Sequence, residues 1–417
     1  MYYDIVIIGG GVAGMAAAIE ARKQGVSGIL ILDREKYLGG VLNQCIHNGF
    51  GRYVLKKEVT GPEYANIFVE EIKKLGIDYK LETTVLEIDK DRNILAVNGT
   101  DGIMEIKAKV IILAMGCREK SRGAAKISGS TFAGVFTAGM VQRLINLEGI
   151  MPGKKVVILG SGDLGLIMAK RLTIEGAEVK GVIEILPYCS GLEENYNQCL
   201  KNFNIPLKLQ HTIIDIKGQE RVDGVLIAKV DSNKRVIKGT EEFISCDTVI
   251  LSVGLTPESE LFKKLGISVN SVTGGAEIDE SMQTNIAGVF AAGNIVHLHD
   301  YVDDVTKEGI LSGRNAAKFV LDKLKSNKSL KVIPGKGVAY ILPKKINLDN
   351  VEEVVQFKFR SSTEYKDVNI RFNFGEGFLE VYKSKIIPSR MEIINIDKEQ
   401  LIKNISEGEI SVDICES

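Results

Sequence analysis

The chain opens on an unbroken apolar run, Ile5-Val6-Ile7-Ile8. Glycines follow it, and then a small-residue stretch carrying Ala13, Ala16, Ala17 and Ala18. An apolar run without alternation fits a strand buried on both faces, and the alanine stretch fits a helix packed closely on it. Ile29-Leu30-Ile31-Leu32 repeats the buried-strand pattern. Over residues 61–75 the period lengthens: Ile67, Phe68, Ile72 and Leu75 share one helix face, and Gly76 ends the helix. Alternating strands run on to residue 113, where Val110-Ile111-Ile112-Leu113 enters the turn Ala114-Met115-Gly116. Strand-like Gly134–Gly139 leads into a helix over Met140–Leu147. Lys155–Leu159 is again a strand, a helix reaches Glu175, and Val179–Ile183 is the next strand. Residues 318–336, rich in lysine and carrying Ser326, Ser329, Pro334 and Gly335, read as a linker. Beyond them Val354/Phe357/Phe359, Val368/Ile370/Phe372/Phe374 and Phe378 to Val381 largely alternate with polar residues. That pattern predicts a small antiparallel sheet or sandwich.

The turns between strand and helix carry the chemistry. Gly9-x-Gly11-x-x-Gly14 follows the first strand: Gly9 permits the tight turn, Gly11 leaves room for a pyrophosphate, and Gly14 lets helix and strand approach. Val12 and Ala13 begin the helix whose N-terminus faces the phosphates. Asp33 ends the next strand, where an acidic residue holds a ribose. The pattern returns at Gly160-x-Gly162-Asp163-Leu164-Gly165, with Glu184 as the acid. Gly134-Val135-Phe136 recurs at Gly288-Val289-Phe290, and the strand-to-glycine run ending at Gly116 recurs at Gly254. That period is too long for a solenoid and fits two related nucleotide-binding modules. The expectation is an α/β protein with two Rossmann-like dinucleotide-binding domains and a small C-terminal β-rich domain. The first domain is discontinuous (1–120 and 251–330), the second is inserted (121–250), and the third covers 332–417.

Composition narrows the class. Across 417 residues, 45% are apolar and 26% charged, as in ordinary globular proteins, and a net charge of −1 argues against a nucleic-acid partner. No run reaches the ~20 apolar residues of a membrane helix, and Ile5–Ile19 lacks a basic leader, so a cytoplasmic location is expected. The cysteines (Cys45, Cys117, Cys189, Cys199, Cys246 and Cys415) form no CxxC, which points to neither a disulfide scaffold nor a metal site.

These ordered motifs resemble the two-dinucleotide flavoproteins related to pyridine nucleotide-disulfide oxidoreductases, over residues 1 to about 325. The resemblance implies FAD at the first fingerprint and NAD at the second, with Gly288–Gly293 near the ribityl chain. Asn294 stands where the family has Asp. It also implies cofactor contacts from Arg34, Gly40, Val41, Val85, Ala114, Gly116, Gly293, Asn294 and Gly254. The loops Gly39–Gly51, Met115–Glu119 and Gly293–Asp303 are similar to a narrower branch, dehydrogenases linked to anaerobic glycerol 3-phosphate oxidation. The C-terminal sheet does not look like the dimerisation domain of disulfide reductases.

Nicotinamide beside flavin makes an electron relay. Ile185-Leu186-Pro187 after Glu184 offers no Arg for a 2′-phosphate, which favours NADH. The loop with Cys45 and His47 is one candidate for the catalytic side, and His299 is another. Cys45 has two readings, a redox-active thiol or a small residue packed on the cofactor. If the segment is extended, only one of His297 and His299 faces the site. Asp300 and Asp303 are expected to cap a helix. The expected activity is FAD-dependent NADH oxidation with a small-molecule or protein acceptor. The alternatives are an electron-transfer subunit of a larger dehydrogenase, a peroxide reductase using Cys45, and a non-catalytic flavin-bound module.

Overall fold

The computed structural model describes residues 1–417 except 126, 130–131, 326–328, 376, 405–407 and 417. The chain forms two compact units, residues 1–117 with 257–417, and residues 118–256.

In the first unit Tyr2–Ile8 is the middle of a seven-stranded sheet. Ile29–Leu32 and then Asp78–Lys80 lie parallel on one side, and Gly102–Leu113 lies parallel on the other. The last strand serves several neighbours. Its first half pairs with the antiparallel hairpin of Thr84–Ile88 and Asn93–Asn98, and its end pairs with Val289–Ala291. Ile5, Ile7, Ile31, Val110 and Ile112 are fully buried, as an apolar run covered on both faces requires. Helix Val12–Lys23 lies against helix Val302–Val320 with no room between them. A Cβ on Gly309 would overlap the Ala13 backbone, and one on Gly313 would overlap Ala17.

The second unit repeats the plan. Its parallel sheet runs Leu207–Leu209, Glu178–Glu184, Lys155–Leu159, Thr248–Leu251, Val135–Thr137. A three-stranded antiparallel sheet of His211–Gly218, Val222–Lys229 and Glu242–Ser245 shares a hydrophobic cluster with it.

The C-terminal strands form a five-stranded and a three-stranded sheet around a core of their own, centred on Phe357, Phe359, Phe372 and Phe374. Most pairings are antiparallel; Leu330–Pro334 with Glu409–Glu416 is parallel. The expected linker over 318–336 is shorter than its composition suggests. The long helix continues to Val320, where Lys318 pairs with Glu352 at 2.6 Å, and Leu330–Pro334 is a strand with Val332 buried. Ser326 lies outside the described residues.

Candidate functional site

The two glycine turns are built alike. Gly9 and Gly160 have φ of +107° and +101°, where a side chain would overlap the Ala114 or Ser252 carbonyl across the sheet. Gly14 and Gly165 face the carbonyls of Gly9 and Gly160, again with no room for a Cβ. Gly11 and Gly162 precede the two helices, and nothing lies within 4 Å of a Cβ added to either. That open space lies at a helix N-terminus with unbonded N–H groups, where a dinucleotide pyrophosphate fits. Val12 and Ala13 are buried in the first helix turn. Asp163 and Leu164 start the second helix, where Asp163 Oδ1 accepts from Leu192 N at 2.8 Å. Gly40 packs on the first turn, and Gly39 N–H donates to the Gly10 carbonyl at 2.9 Å.

The acids brace these turns. Asp33 Oδ2 accepts from Gly10 N–H at 2.5 Å, and Oδ1 from Glu35 N–H at 2.8 Å. Burial pushes the Asp33 carboxyl up, against those two N–H donors that favour its anion. Glu184 Oε2 accepts from Ser161 N–H at 2.8 Å and from Ser161 Oγ at 2.6 Å. Each acid therefore holds the residue between the first two glycines of its turn. This bond is common to both modules and is invisible in the motif.

The other expected contacts are scattered. Gly116 and Gly254 both have positive φ; nothing lies within 4 Å of a Cβ added to Gly116, and the Lys120 side chain comes to 3.8 Å of one added to Gly254. Arg34 is exposed and 3.5 Å from Glu258, Val41 is 65% exposed, and Val85 is half-buried on its strand. Ala114 is buried beneath Gly9. Asn294 Nδ2 lies 3.6 Å from Cys117 Sγ. Cys45 Sγ donates to the Val41 carbonyl at 3.3 Å, and His47 lies beside Phe50 with ring centroids 5.0 Å apart. The cysteines of the described residues form no disulfide.

His299 belongs to a buried cluster. A 3₁₀ turn over Gly293–Ile295 is followed by irregular backbone rather than a strand, and His297 and His299 converge there. His297 Nε2 is 3.1 Å from Glu308 Oε1. His299 Nε2 is 3.0 Å from the same oxygen without making a hydrogen bond. Lys358 Nζ reaches that oxygen too, at 2.7 Å, while Glu308 Oε2 accepts from Gly293 N–H at 2.9 Å. Asn294 Oδ1 accepts from His299 N–H at 3.1 Å. Burial works against the Glu308 anion, but the His299 and Lys358 charges outweigh it and hold this carboxyl well below its ordinary range. Burial and the charge at His299 push His297 down to about 3, so its ring is neutral near pH 7. The two imidazoles and Glu308 lie within 4.8 Å of one another, a spacing a metal ion can bridge. Here the Lys358 ammonium already supplies the cation against Glu308.

Neither aspartate caps the helix, whose N-cap Tyr301 makes no side-chain cap bond. Asp303 Oδ1 instead accepts from the N–H groups of Tyr53 and Val54, at 3.1 and 2.7 Å. Asp300 pairs with Arg360 at 2.5 Å. Glu308, Lys358, Tyr340 and Arg360 escape sequence reasoning. Their one trace is a lysine and an arginine alternating with Phe357 and Phe359, which reads as a solvated strand face.

Two parallel sheets with an open glycine turn at each helix start define a two-nucleotide α/β protein. The family model described as pyridine nucleotide-disulphide oxidoreductase matches residues 3–318, and the chain belongs to that family. It is an FAD-dependent NAD(P)H oxidoreductase. It is 26% identical over 344 residues to hydrogen cyanide synthase subunit HcnB of Pseudomonas protegens, an alignment covering 77% of this chain and 71% of the relative. It is 28% identical to the NAD(P)H coenzyme A polysulfide/persulfide reductase of Pyrococcus horikoshii, over 71% of this chain and 63% of that one. Thioredoxin reductase of T. acidophilum shares the fold at a TM-score of 0.63 and 24% identity, covering 76% of this chain and 98% of its own. No helix of the described residues is long and apolar enough to cross a membrane.

Proposed function

We propose that the chain oxidises NADH and delivers the electrons to a small acceptor or to a partner protein in the cytoplasm. The observation that carries this reading is the pair of open, acid-braced glycine turns, one in each unit. FAD supplies acceptance of two electrons from a nicotinamide and their release singly or in pairs. The residues at Gly9–Gly14, with Asp33, bind FAD; those at Gly160–Gly165, with Glu184, bind the nicotinamide nucleotide. The Glu184 carboxylate accepts ribose hydroxyls and repels a 2′-phosphate, which selects NADH over NADPH.

A second reading, an electron-transfer subunit, is favoured by one observation and by a resemblance. HcnB is by name a subunit. The resemblance is that of the loops Gly39–Gly51, Met115–Glu119 and Gly293–Asp303 to glycerol 3-phosphate-linked dehydrogenases. The test is an anaerobic titration of the purified chain with NADH and NADPH, followed by quinones, disulfides, peroxide and dyes. A flavin spectrum bleached by NADH, with reoxidation by one of the small acceptors, supports the first reading. Bleaching without turnover on any small acceptor moves the choice to the second. A preparation that releases no flavin on denaturation defeats both.

A further inference from the structure

Strand Val354–Ser361 buries one face along its length, and at Lys358 the other face is buried as well. Phe357 and Phe359 point into the C-terminal core, while Lys358 and Arg360 point the other way, to Glu308 and Asp300. Lys358 is 7% exposed and Glu308 4%. A lysine is seldom buried this deeply unless its charge is answered. Here the answer lies at the first glycine turn. Glu308 holds the Gly293 N–H, and Gly293 sits so close to Ala13 that an added Cβ would come within 3.1 Å of it. The same carboxylate gathers His297 and His299, and His299 is bonded to Asn294.

We infer that Lys358, carried by the C-terminal domain, is a positioning residue of the flavin site, acting through Glu308 to fix Gly293 and the His299–Asn294 pair beside the Gly9–Gly14 turn. The inference rests on the reading that this turn holds FAD. The groups facing the carboxylate are His297 and His299 from the 293–300 loop and Lys358 from the sheet. Tyr340 and the Arg360–Asp300 pair stand behind them. Lys358 Nζ is the cation that meets Glu308 Oε1 most closely, at 2.7 Å. Without it, a protonated imidazole is the remaining cation facing Glu308. A fold that depends on that proton has stability that is present at low pH and lost as pH rises.

The test compares wild type, Lys358→Met and the double variant Lys358→Met/Glu308→Gln by melting temperature from about pH 6 to 8 and by flavin midpoint potential. Wild type is expected not to lose stability as pH rises across this range. Lys358→Met is expected to lose it on the same rise, to bind FAD about tenfold more weakly, and to have a more negative potential for want of a nearby cation. The double variant removes both charges, while the carbonyl oxygen of the new amide still accepts from Gly293 N–H. It is expected to return to the wild-type pH course and potential. A Lys358→Met protein with the wild-type pH course and potential overturns the inference. If Lys358→Met does not fold, the double variant decides: folding with a wild-type pH course supports the pairing, and failure to fold overturns it in favour of simple packing. A flavin-free wild type defeats the functional reading instead, and the melting curves still judge the pairing.

Discussion

Asp33 does two jobs that a substitution can separate. Its carboxylate accepts from Gly10 N–H inside the protein, and in the proposed function its ionised form holds a ribose hydroxyl pair. Asn keeps an acceptor for Gly10 and avoids the burial penalty that pushes the Asp33 carboxyl up. Asp33→Asn keeps the Gly10 bond but turns an NH2 toward Glu35 N–H, so the flavin-free protein is expected to lose less stability than Asp33→Ala while FAD affinity falls about tenfold. Asp33→Ala is expected to lose the same affinity and a further ~1–3 kcal/mol of stability, because a buried N–H is left without its acceptor. Urea unfolding of the apoprotein and fluorescence titration with FAD check both. Equal stability loss in Asn and Ala would show that the bond to Gly10 contributes nothing.

At the level of elements, the parts legible in the sequence are those fixed by local contacts. The strand–turn–helix units at Gly9 and Gly160 are readable because a positive φ at the first glycine, and the approach of Gly14 and Gly165 to the carbonyls of Gly9 and Gly160, demand glycine within a few residues. The alternation of Phe357 and Phe359, and of Ile370 and Phe372, with polar residues announces a sheet. What covers each face is not readable. Ala13 and Ala17 point to a close neighbour, and that neighbour is Gly309 and Gly313, far along the chain in the helix of Val302–Val320. Lys358 looks solvated because strand alternation says which residues share a face and not what packs on it. The helix pair also carries a prediction. Gly309→Ala forces a Cβ into the Ala13 backbone, which has no rotamer with which to yield. The helices must separate, at a cost of ~1–3 kcal/mol, and Gly293 beside Ala13 moves with them. Gly309→Ala is expected to melt lower and to retain less flavin through purification. Gly176→Ala, in a left-handed turn with open space, is expected to incur backbone strain without flavin loss. Equal flavin retention in the two variants would detach the helix contact from the site.

For the whole molecule, the buried cluster makes folding sensitive to acid, with a sign fixed by its two main members. His297 is pushed down to about 3 by burial and by the charge at His299. An unfolded imidazole takes its proton near ~6.5, so below that pH the unfolded chain binds a proton that the native protein refuses. The stability tied to this neutral ring is whole above pH ~6.5 and drains away as pH falls toward the folded value. Glu308 adds a second loss at lower pH. Its folded pKa is depressed, so its contribution holds above the unfolded carboxylate value of ~4.3 and disappears as pH falls through the folded one. Melting temperature is thus expected to decline from about pH 6.5 downward and more steeply below about pH 4.5. His297→Gln separates the two components. Its amide can still donate to Glu308 but has no proton to take up, so the decline between about pH 6.5 and 5 should flatten while the lower one stays. The slope across that upper window, rather than the absolute melting temperature, is the measurement. If the variant's slope there matches wild type, the acid sensitivity arises elsewhere and His297 is not the ring that refuses the proton.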